Sequence, residues 1–119
     1  MDITPLVPAD RKVIDSYGPG RFRVAGQNYQ SALLVFPDAV EQWAAAGLEP
    51  GALDAVKGRG VEVLLIGCGK AIQFLPPALR AELRAAGIGV EIMDTGAACR
   101  TYNVLLAEGR KVAAALLPL

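Results

Sequence analysis

One stretch, residues 89–117, restricts the fold of this chain more than any other. It predicts an apolar strand at 89–93, a polar Asp-Thr-Gly loop, a helix over about 97–108 and a final apolar strand at 112–117. A strand, a helix and a second strand in succession are typical of α/β proteins, in which helices pack against a sheet. The stretch therefore predicts an α/β domain.

Three further helices are predicted from the spacing of apolar residues and from the prolines that begin them. The clearest lies at 76–87, where two prolines start the helix and a glycine ends it. The same signals predict helices over 37–47 and near 50–57. With the helix at 97–108, the sequence predicts four helices in all.

Two more regions have the composition of strands. Residues 61–66 form a nearly continuous apolar run rich in β-branched side chains, as in a central strand covered on both faces. Residues 21–24 alternate polar and apolar side chains, and a turn at 25–28 leads into the run 29–36, so a hairpin is predicted there. The proline-rich residues 1–20 are expected to form an extended arm on the surface.

The predicted fold class is α/β. The sequence predicts helices packed against a mostly parallel sheet of about five strands, with a short N-terminal hairpin beside it. At 119 residues, 53% of them hydrophobic, the chain is long enough to bury one core. Residues 1–119 are therefore expected to form a single domain.

Charge and hydropathy narrow the classes of partner. Twelve basic and twelve acidic residues give a net charge of zero, which argues against a nucleic-acid partner. No apolar run reaches the roughly 20 residues that a membrane-spanning helix needs, and the N-terminus lacks the pattern of a signal peptide. We therefore expect a cytoplasmic protein without membrane insertion.

The residue types also restrict the chemistry. The sequence has no histidine, which removes the usual general base and the commonest zinc ligand. Cys99 would lie in the first turn of a helix beside Arg100, where thiols become more acidic, although its neighbours favour core packing. Cys68 and Cys99 could also approach each other as a redox pair. We assign no catalytic residue, no metal site and no cofactor.

Polar residues gather at the carboxyl ends of two predicted strands, where ligands bind in open α/β sheets. The Gly-Cys-Gly-Lys loop after residue 66 departs from a phosphate-binding loop, because Leu64 and Ala71 stand where that motif needs glycine and Ser or Thr. Lys70 and Arg100 could receive an anion there, and Asp94 could act as acid or base. The candidate crevice comprises Gly67, Cys68, Gly69, Lys70, Asp94, Thr95, Arg100 and Asn103.

Structural interpretations compete with that site. Asp94 or Thr95 is suited to cap the following helix, and Asn103, a poor helix former, is suited to bond a neighbouring loop. The tetrad that begins at Asp94 also matches the active-site tetrad of aspartic proteases. Those enzymes are nearly all-β, however, and residues 109–111 depart from the Gly-Arg-Asp or Gly-Arg-Asn element that they carry. Capping is therefore the favoured interpretation.

The segment 93–105 and the apolar run at 112–116 resemble those of a known family. This is the family of small domains of unknown function that includes the mitochondrial NADH:ubiquinone oxidoreductase (complex I) assembly factor 3. The resemblance covers residues 13–117, and Cys68 stands where that family more usually has Thr. It implies a bacterial single-domain member with a three-layer fold around a mixed sheet whose last strand is central and antiparallel to the others.

The resemblance implies no established enzymatic activity and no agreed catalytic residue. The function expected from it is a non-enzymatic interaction or assembly module with other proteins as partners, aiding biogenesis of a respiratory or other membrane complex. The alternative is a small-molecule, anion-binding protein or enzyme that uses the crevice between 67–70 and 94–100. The sequence leaves open whether the chain forms a homodimer.

Overall fold

A small antiparallel sheet begins the described part of this computed structural model, which comprises Ile3 and residues 11–119. Its strands are β1 (Ile14–Gly18), β2 (Arg21–Val24) and β3 (Gln27–Tyr29), in that order across the sheet. Both residues of the turn between β2 and β3, Ala25 and Gly26, have a positive φ, as the type I′ turns that favour hairpins require.

A second sheet of five strands forms the centre of the molecule. Its strands are β4 (Leu33–Phe36), β5 (Ala39–Gln42), β6 (Val63–Cys68), β7 (Gly89–Met93) and β8 (Val112–Leu117). They lie in the order β5-β4-β8-β6-β7. The central position expected for the last strand is confirmed. The expectation that it is antiparallel to the others is wrong, because β8 pairs antiparallel with β4 and parallel with β6.

The described residues form two α-helices, α1 (Pro77–Ala85) and α2 (Thr95–Ala107). Because successive strand residues point to opposite faces of a sheet, the core divides into two hydrophobic clusters. Leu64 and Ile66 of β6 pack in the cluster that contains Leu79 of α1. Leu65, between them, packs in the cluster that contains Tyr102 of α2. Each helix thus lies against one face of the five-stranded sheet.

The helix predicted at 37–47 is wrong. Pro37 and Asp38 instead form the turn of the β4–β5 hairpin, in which Val35 pairs with Val40. Alanine-rich sequence favours a helix locally, but the chain satisfies its backbone groups here by strand pairing. The helix predicted near 50–57 is reduced to a single 3-10 turn at Asp54–Val56.

Two predictions about the first third of the chain also need correction. The predicted hairpin strand at 29–36 is divided, because β3 ends at Tyr29 and β4 belongs to the other sheet. The arm predicted at 1–20 contains β1, whereas residues 1–2 and 4–10 lie outside the described residues. The strands predicted at 61–66, 89–93 and 112–117 and the two later helices are confirmed, with small shifts at their ends.

Candidate functional site

The start of α2 packs directly on β6 at Gly67. A Cβ atom on Gly67 would lie 2.9 Å from the Cα of Thr95 and 3.1 Å from the Cβ of Ala98. Only glycine allows the helix backbone to come so close to the strand. At Gly67, the crevice predicted between 67–70 and 94–100 is therefore filled by α2.

The hydroxyl of Thr95 links three elements at the end of the sheet. Its oxygen accepts a hydrogen bond of 2.7 Å from the amide N–H of Gly69, and its O–H donates to the carbonyl of Leu117 at 2.6 Å. The amide of Thr95 also donates to the Gly69 carbonyl at 2.9 Å. The N–H of Gly69, which an anion-binding loop would offer to a ligand, is thus used within the protein.

Asp94 is the N-cap of α2. Its Oδ1 accepts a hydrogen bond of 2.9 Å from the amide of Ala97, and this satisfies one of the unpaired N–H groups of the first helical turn. The capping prediction is confirmed. In this position the Asp-Thr-Gly tetrad begins a helix on an α/β sheet, which is unlike the setting of the tetrad in the nearly all-β aspartic proteases.

Tyr17 of β1 lies against the same first turn of α2. Its ring and hydroxyl lie so close to Gly96 that an added Cβ there would be 2.8 Å from the hydroxyl oxygen. The guanidinium of Arg100 donates a hydrogen bond to that hydroxyl. Position 17 falls within the arm predicted at 1–20, and nothing local to it signals the contact with α2.

Asn103 contacts β1, and none of its described hydrogen bonds goes to the 67–70 loop. It is buried, and its side-chain oxygen and nitrogen bond the backbone of Ile14 while the nitrogen also donates to the carbonyl of Ile3. Lys70 is exposed beyond the end of β6. The predicted set therefore separates into a packed group around Thr95, a helix cap, and two side chains of α2 that hold β1.

The two cysteines are free and buried on opposite faces of the five-stranded sheet. Burial raises the pKa of the Cys99 thiol to about 12, although the charge of Arg100 acts in the opposite direction. Burial also raises the pKa of Cys68. Both thiols are therefore protonated at neutral pH, which disfavours nucleophilic chemistry, and the sheet that lies between them argues against a redox pair.

Exposed apolar side chains are a feature that sequence reasoning missed. Ile72 and Phe74 lie in the segment between β6 and α1 and are 64% and 78% exposed. Val104 on the outer side of α2 is 56% exposed. Residues 72 and 74 lie between the strand predicted at 61–66 and the helix predicted at 76–87, so the sequence did show two large apolar residues outside any predicted element. The hydrophobic pattern alone, however, does not distinguish exposed side chains from buried ones.

Ile3 and residues 11–119 contain neither a candidate metal-binding cluster nor a candidate membrane-spanning helix. In that part of the chain, no three His, Cys, Asp or Glu side chains lie close enough together to hold a metal ion. None of its helices is both long and apolar enough to cross a membrane.

The match to a family model covers nearly the whole chain. Residues 14–117 match the model described as a protein of unknown function, DUF498/DUF598. The chain belongs to this family. The resemblance inferred from 93–105 and 112–116 is thereby confirmed.

Two relatives of this DUF498/DUF598 chain show the range of the family. An uncharacterised protein of Rhodobacter capsulatus is 48% identical over 107 residues, which are 89% of this chain and 84% of that protein. The NADH dehydrogenase (ubiquinone) 1 alpha subcomplex assembly factor 3 of Xenopus tropicalis is 32% identical over 115 residues, which are 92% of this chain and 63% of that protein. The chain thus spans somewhat less than two thirds of the length of that assembly factor.

Solved structures of similar proteins have the same fold. The crystal structure of a Bordetella parapertussis protein is 38% identical and superposes with a TM-score of 0.85, covering 97% of this chain and 100% of the other. A Bordetella pertussis protein described as a Mth938-like domain, solved by NMR, is 37% identical with a TM-score of 0.73, covering 97% and 90%. The mixed α/β fold of this DUF498/DUF598 member is therefore shared with the Mth938-like domain.

Proposed function

We propose that this protein is a non-enzymatic interaction module that binds other proteins during the assembly of a respiratory or other membrane protein complex. The similarity to an assembly factor, which extends over 92% of this chain, supports this role. The single structural observation that carries it is the exposed pair Ile72 and Phe74 on one loop.

The loop that contains Ile72 and Phe74 has the properties of a protein contact. Burying apolar surface stabilises a complex by about 25 cal/mol per Å² before the costs of association, and large aromatic side chains often dominate the binding energy of interfaces. The loop is held at its base, because the Gly69 amide bonds Thr95 and the side chain of Gln73 donates to the carbonyl of Cys68 at 3.2 Å. A contact here would therefore start from a partly ordered loop.

The polar residues near this loop support a scaffold rather than a reaction centre. Asp94 caps α2, Thr95 holds strand ends, and the thiol of Cys99 is buried with a raised pKa. Each of these groups serves folding in a way that disfavours a catalytic role at neutral pH. A protein that acts by binding a partner through its surface does not need an active-site pocket.

The proposal also includes the cellular compartment, the domain organisation and the layers of the fold. We place the chain in the cytoplasm as one domain over 1–119, since two cysteines are too few for a disulfide framework. A three-layer arrangement is supported by the two hydrophobic clusters, one on each face of the five-stranded sheet.

Site-specific photo-cross-linking in native cells tests the partner contact. A photoreactive phenylalanine analogue at position 74 is expected to cross-link to a subunit of a membrane complex, and the same analogue at position 104, also exposed but on α2, is expected not to. The double variant Ile72→Ser/Phe74→Ser should lower the amount of assembled NADH:quinone oxidoreductase on native gels several-fold. Normal complex levels in that variant, with loss in Val104→Ser instead, would contradict the proposal.

A second candidate is an anion-binding protein or enzyme that uses the 67–70 and 94–100 segments. The observation that favours it is that Lys70 and Arg100 are both exposed on segments which Thr95 holds together. A ligand that binds only the folded state raises its apparent stability. Thermal-shift screening of wild type against Lys70→Ala and Arg100→Ala would support this candidate if both variants lost a shift that wild type shows.

A further inference from the structure

A basin of about 580 Å³ opens at the end of the five-stranded sheet opposite to Thr95. It lies where β4 ends and where β6 and β8 begin, whereas Thr95 lies beyond the opposite ends of β6 and β8. Among the described residues, three cationic side chains line it, Arg11, Arg59 and Lys111, together with the carboxylate of Asp38. Glu41 pairs with Arg59, so the cations of the lining outnumber the nearby described carboxylates by one.

We propose that this basin binds the phosphoryl group of a small organic molecule. Guanidinium and ammonium groups that converge on one concave surface are the usual protein ligands of phosphate oxygens. Its volume is within the range of about 300–1,000 Å³ found for small-molecule pockets, which leaves space beside the phosphoryl group for an organic part. The site does not depend on the proposed assembly role.

Arg59 is held in place before any ligand arrives. Its guanidinium carbon lies 3.6 Å from the centre of the Phe36 ring, and its Nη1 donates to the Glu41 carboxylate at 2.6 Å. A guanidinium has five N–H donors, so one bond to Glu41 leaves donors for a phosphoryl oxygen. A side chain ordered in this way loses less conformational entropy on binding than a free one.

The backbone positions of the other two cations are also fixed. The amide of Lys12, next to Arg11, donates to the carbonyl of Pro37 at 2.9 Å. The carbonyl of Lys111 accepts hydrogen bonds of 2.9 Å and 3.2 Å from the amides of Glu62 and Val63. Arg11 and Lys111 therefore project from anchored backbone, although their long side chains remain exposed.

The backbone that follows α2 lies at the basin, where Gly109 is part of the lining. The carbonyls of residues 104–106 in the last turn of this helix accept hydrogen bonds from the amides of Glu108, Gly109 and Arg110, which reduces the repulsion that these carbonyls would exert on an anion. Gly60 and Gly109 both line the basin, and a Cβ atom at either position would meet nothing within 4 Å. A ligand can thus approach the backbone of the basin closely at two points.

Isothermal titration of the full chain at low ionic strength tests this site, with inorganic phosphate, inorganic pyrophosphate and ADP as probes. We expect saturable binding of pyrophosphate and ADP, and tighter binding of ADP if the organic part contributes. Arg59→Gln and Lys111→Gln should each weaken binding roughly tenfold, because a hydrogen bond to a charged group is lost. Arg23→Gln, at an exposed arginine of β2 that does not line the basin, is the matched control and should bind as wild type does.

Amide chemical shifts measured by NMR during the same titrations locate the site independently of the variants. Shifts centred on Gly60 and Gly109 would support the basin. An absence of binding up to millimolar probe, or an equal loss of affinity in Arg23→Gln, would overturn it. Arg11→Gln breaks no described ion pair, so this variant is expected to fold normally. If Arg59→Gln is unstable, weaker binding by Arg11→Gln would support the basin, and unchanged binding by both Arg11→Gln and Lys111→Gln would count against it.

Discussion

Asn103 gives Ile14 both of the hydrogen bonds that a neighbouring strand residue would give it. The side-chain oxygen of Asn103 accepts from the Ile14 amide at 3.0 Å, and its side-chain nitrogen donates to the Ile14 carbonyl at 2.8 Å. The amide side chain has the same donor and acceptor pair as a peptide unit. A residue of α2 thus takes the place of a strand at the edge of the three-stranded sheet and fixes that sheet to the rest of the core.

Replacing Asn103 with Ala should therefore be costly. The change leaves the buried N–H and C=O of Ile14 without these partners, and each unsatisfied group costs about 1–3 kcal/mol. We expect the free energy of unfolding to fall by about 3 kcal/mol, measured by urea denaturation. Val104→Ala is the matched control, since this neighbour is exposed, and it should change stability by less than about 0.5 kcal/mol. Equal effects of the two changes would contradict the role of Asn103.

Two substitutions at Thr95 separate its hydroxyl from its methyl group. Thr95→Val keeps the shape but removes the bonds to Gly69 and Leu117, and we expect a loss of about 2 kcal/mol for the two unpaired backbone groups. Thr95→Ser keeps the hydroxyl and should lose only about 1 kcal/mol, for the deleted methyl. Urea denaturation gives both values. A more stable Val than Ser variant would show that packing, and not the hydroxyl, holds the strand ends.

Glycine is required at position 67 for packing and not for backbone conformation. Gly67→Ala would place its Cβ 2.9 Å from the backbone of Thr95, so α2 must move away from β6. We expect a loss of about 1–3 kcal/mol, as for other overpacked sites. Gly89→Ala, in the strand next to β6, meets nothing closer than 3.5 Å and should be close to neutral. Thermal denaturation of the two variants compares them directly.

Stability should fall with pH in the alkaline range because of Cys99. Its pKa is about 12 in the folded protein and near its ordinary value of 9.0 in the unfolded chain. Below pH 9 the thiol is protonated in both states, and above it only the unfolded chain loses the proton. The free energy of unfolding should then fall by about 1.4 kcal/mol per pH unit for this group.

Urea denaturation at pH 8, 9 and 10 measures this slope. Cys68 and Tyr102 also have raised pKa values, so they act in the same direction. Cys99→Ala is expected to lower stability at every pH but to make the decline between pH 9 and 10 shallower. Identical slopes in wild type and variant would show that Cys99 is not the group responsible.

Local signals were sufficient to predict the second half of the fold. The prolines at 76 and 77, the glycine at 87 and the apolar runs at 61–66 and 112–117 act within a few residues of the element that they specify. Signals of the same kind, a proline start and the spacing of apolar residues, gave the wrong prediction over 37–47. The alanines of this region favour a helix, but pairing with β4 decides the structure, and the indole N–H of Trp43 bonds the carbonyl of Ala52 beyond it.

The site was predictable only in its local part. Capping by Asp94 depends on residues three positions apart, and the sequence predicted it. The contact of Asn103 with Ile14 joins residues 89 positions apart, so it depends on a tertiary arrangement that no short pattern encodes. The basin was missed for the same reason, since Arg11, Arg59 and Lys111 come together only when the sheet has formed.

The position of β8 between β4 and β6 governs how the chain can fold during its synthesis. Every other strand leaves the ribosome before β8 does, and until then β4 and β6 each have an unpaired edge that can bind to another chain. Pairing of Leu33 with Leu116 also closes a long loop, which slows folding. The nascent protein therefore passes through a stage in which its central sheet is open, and shielding by a chaperone would be most useful at that stage.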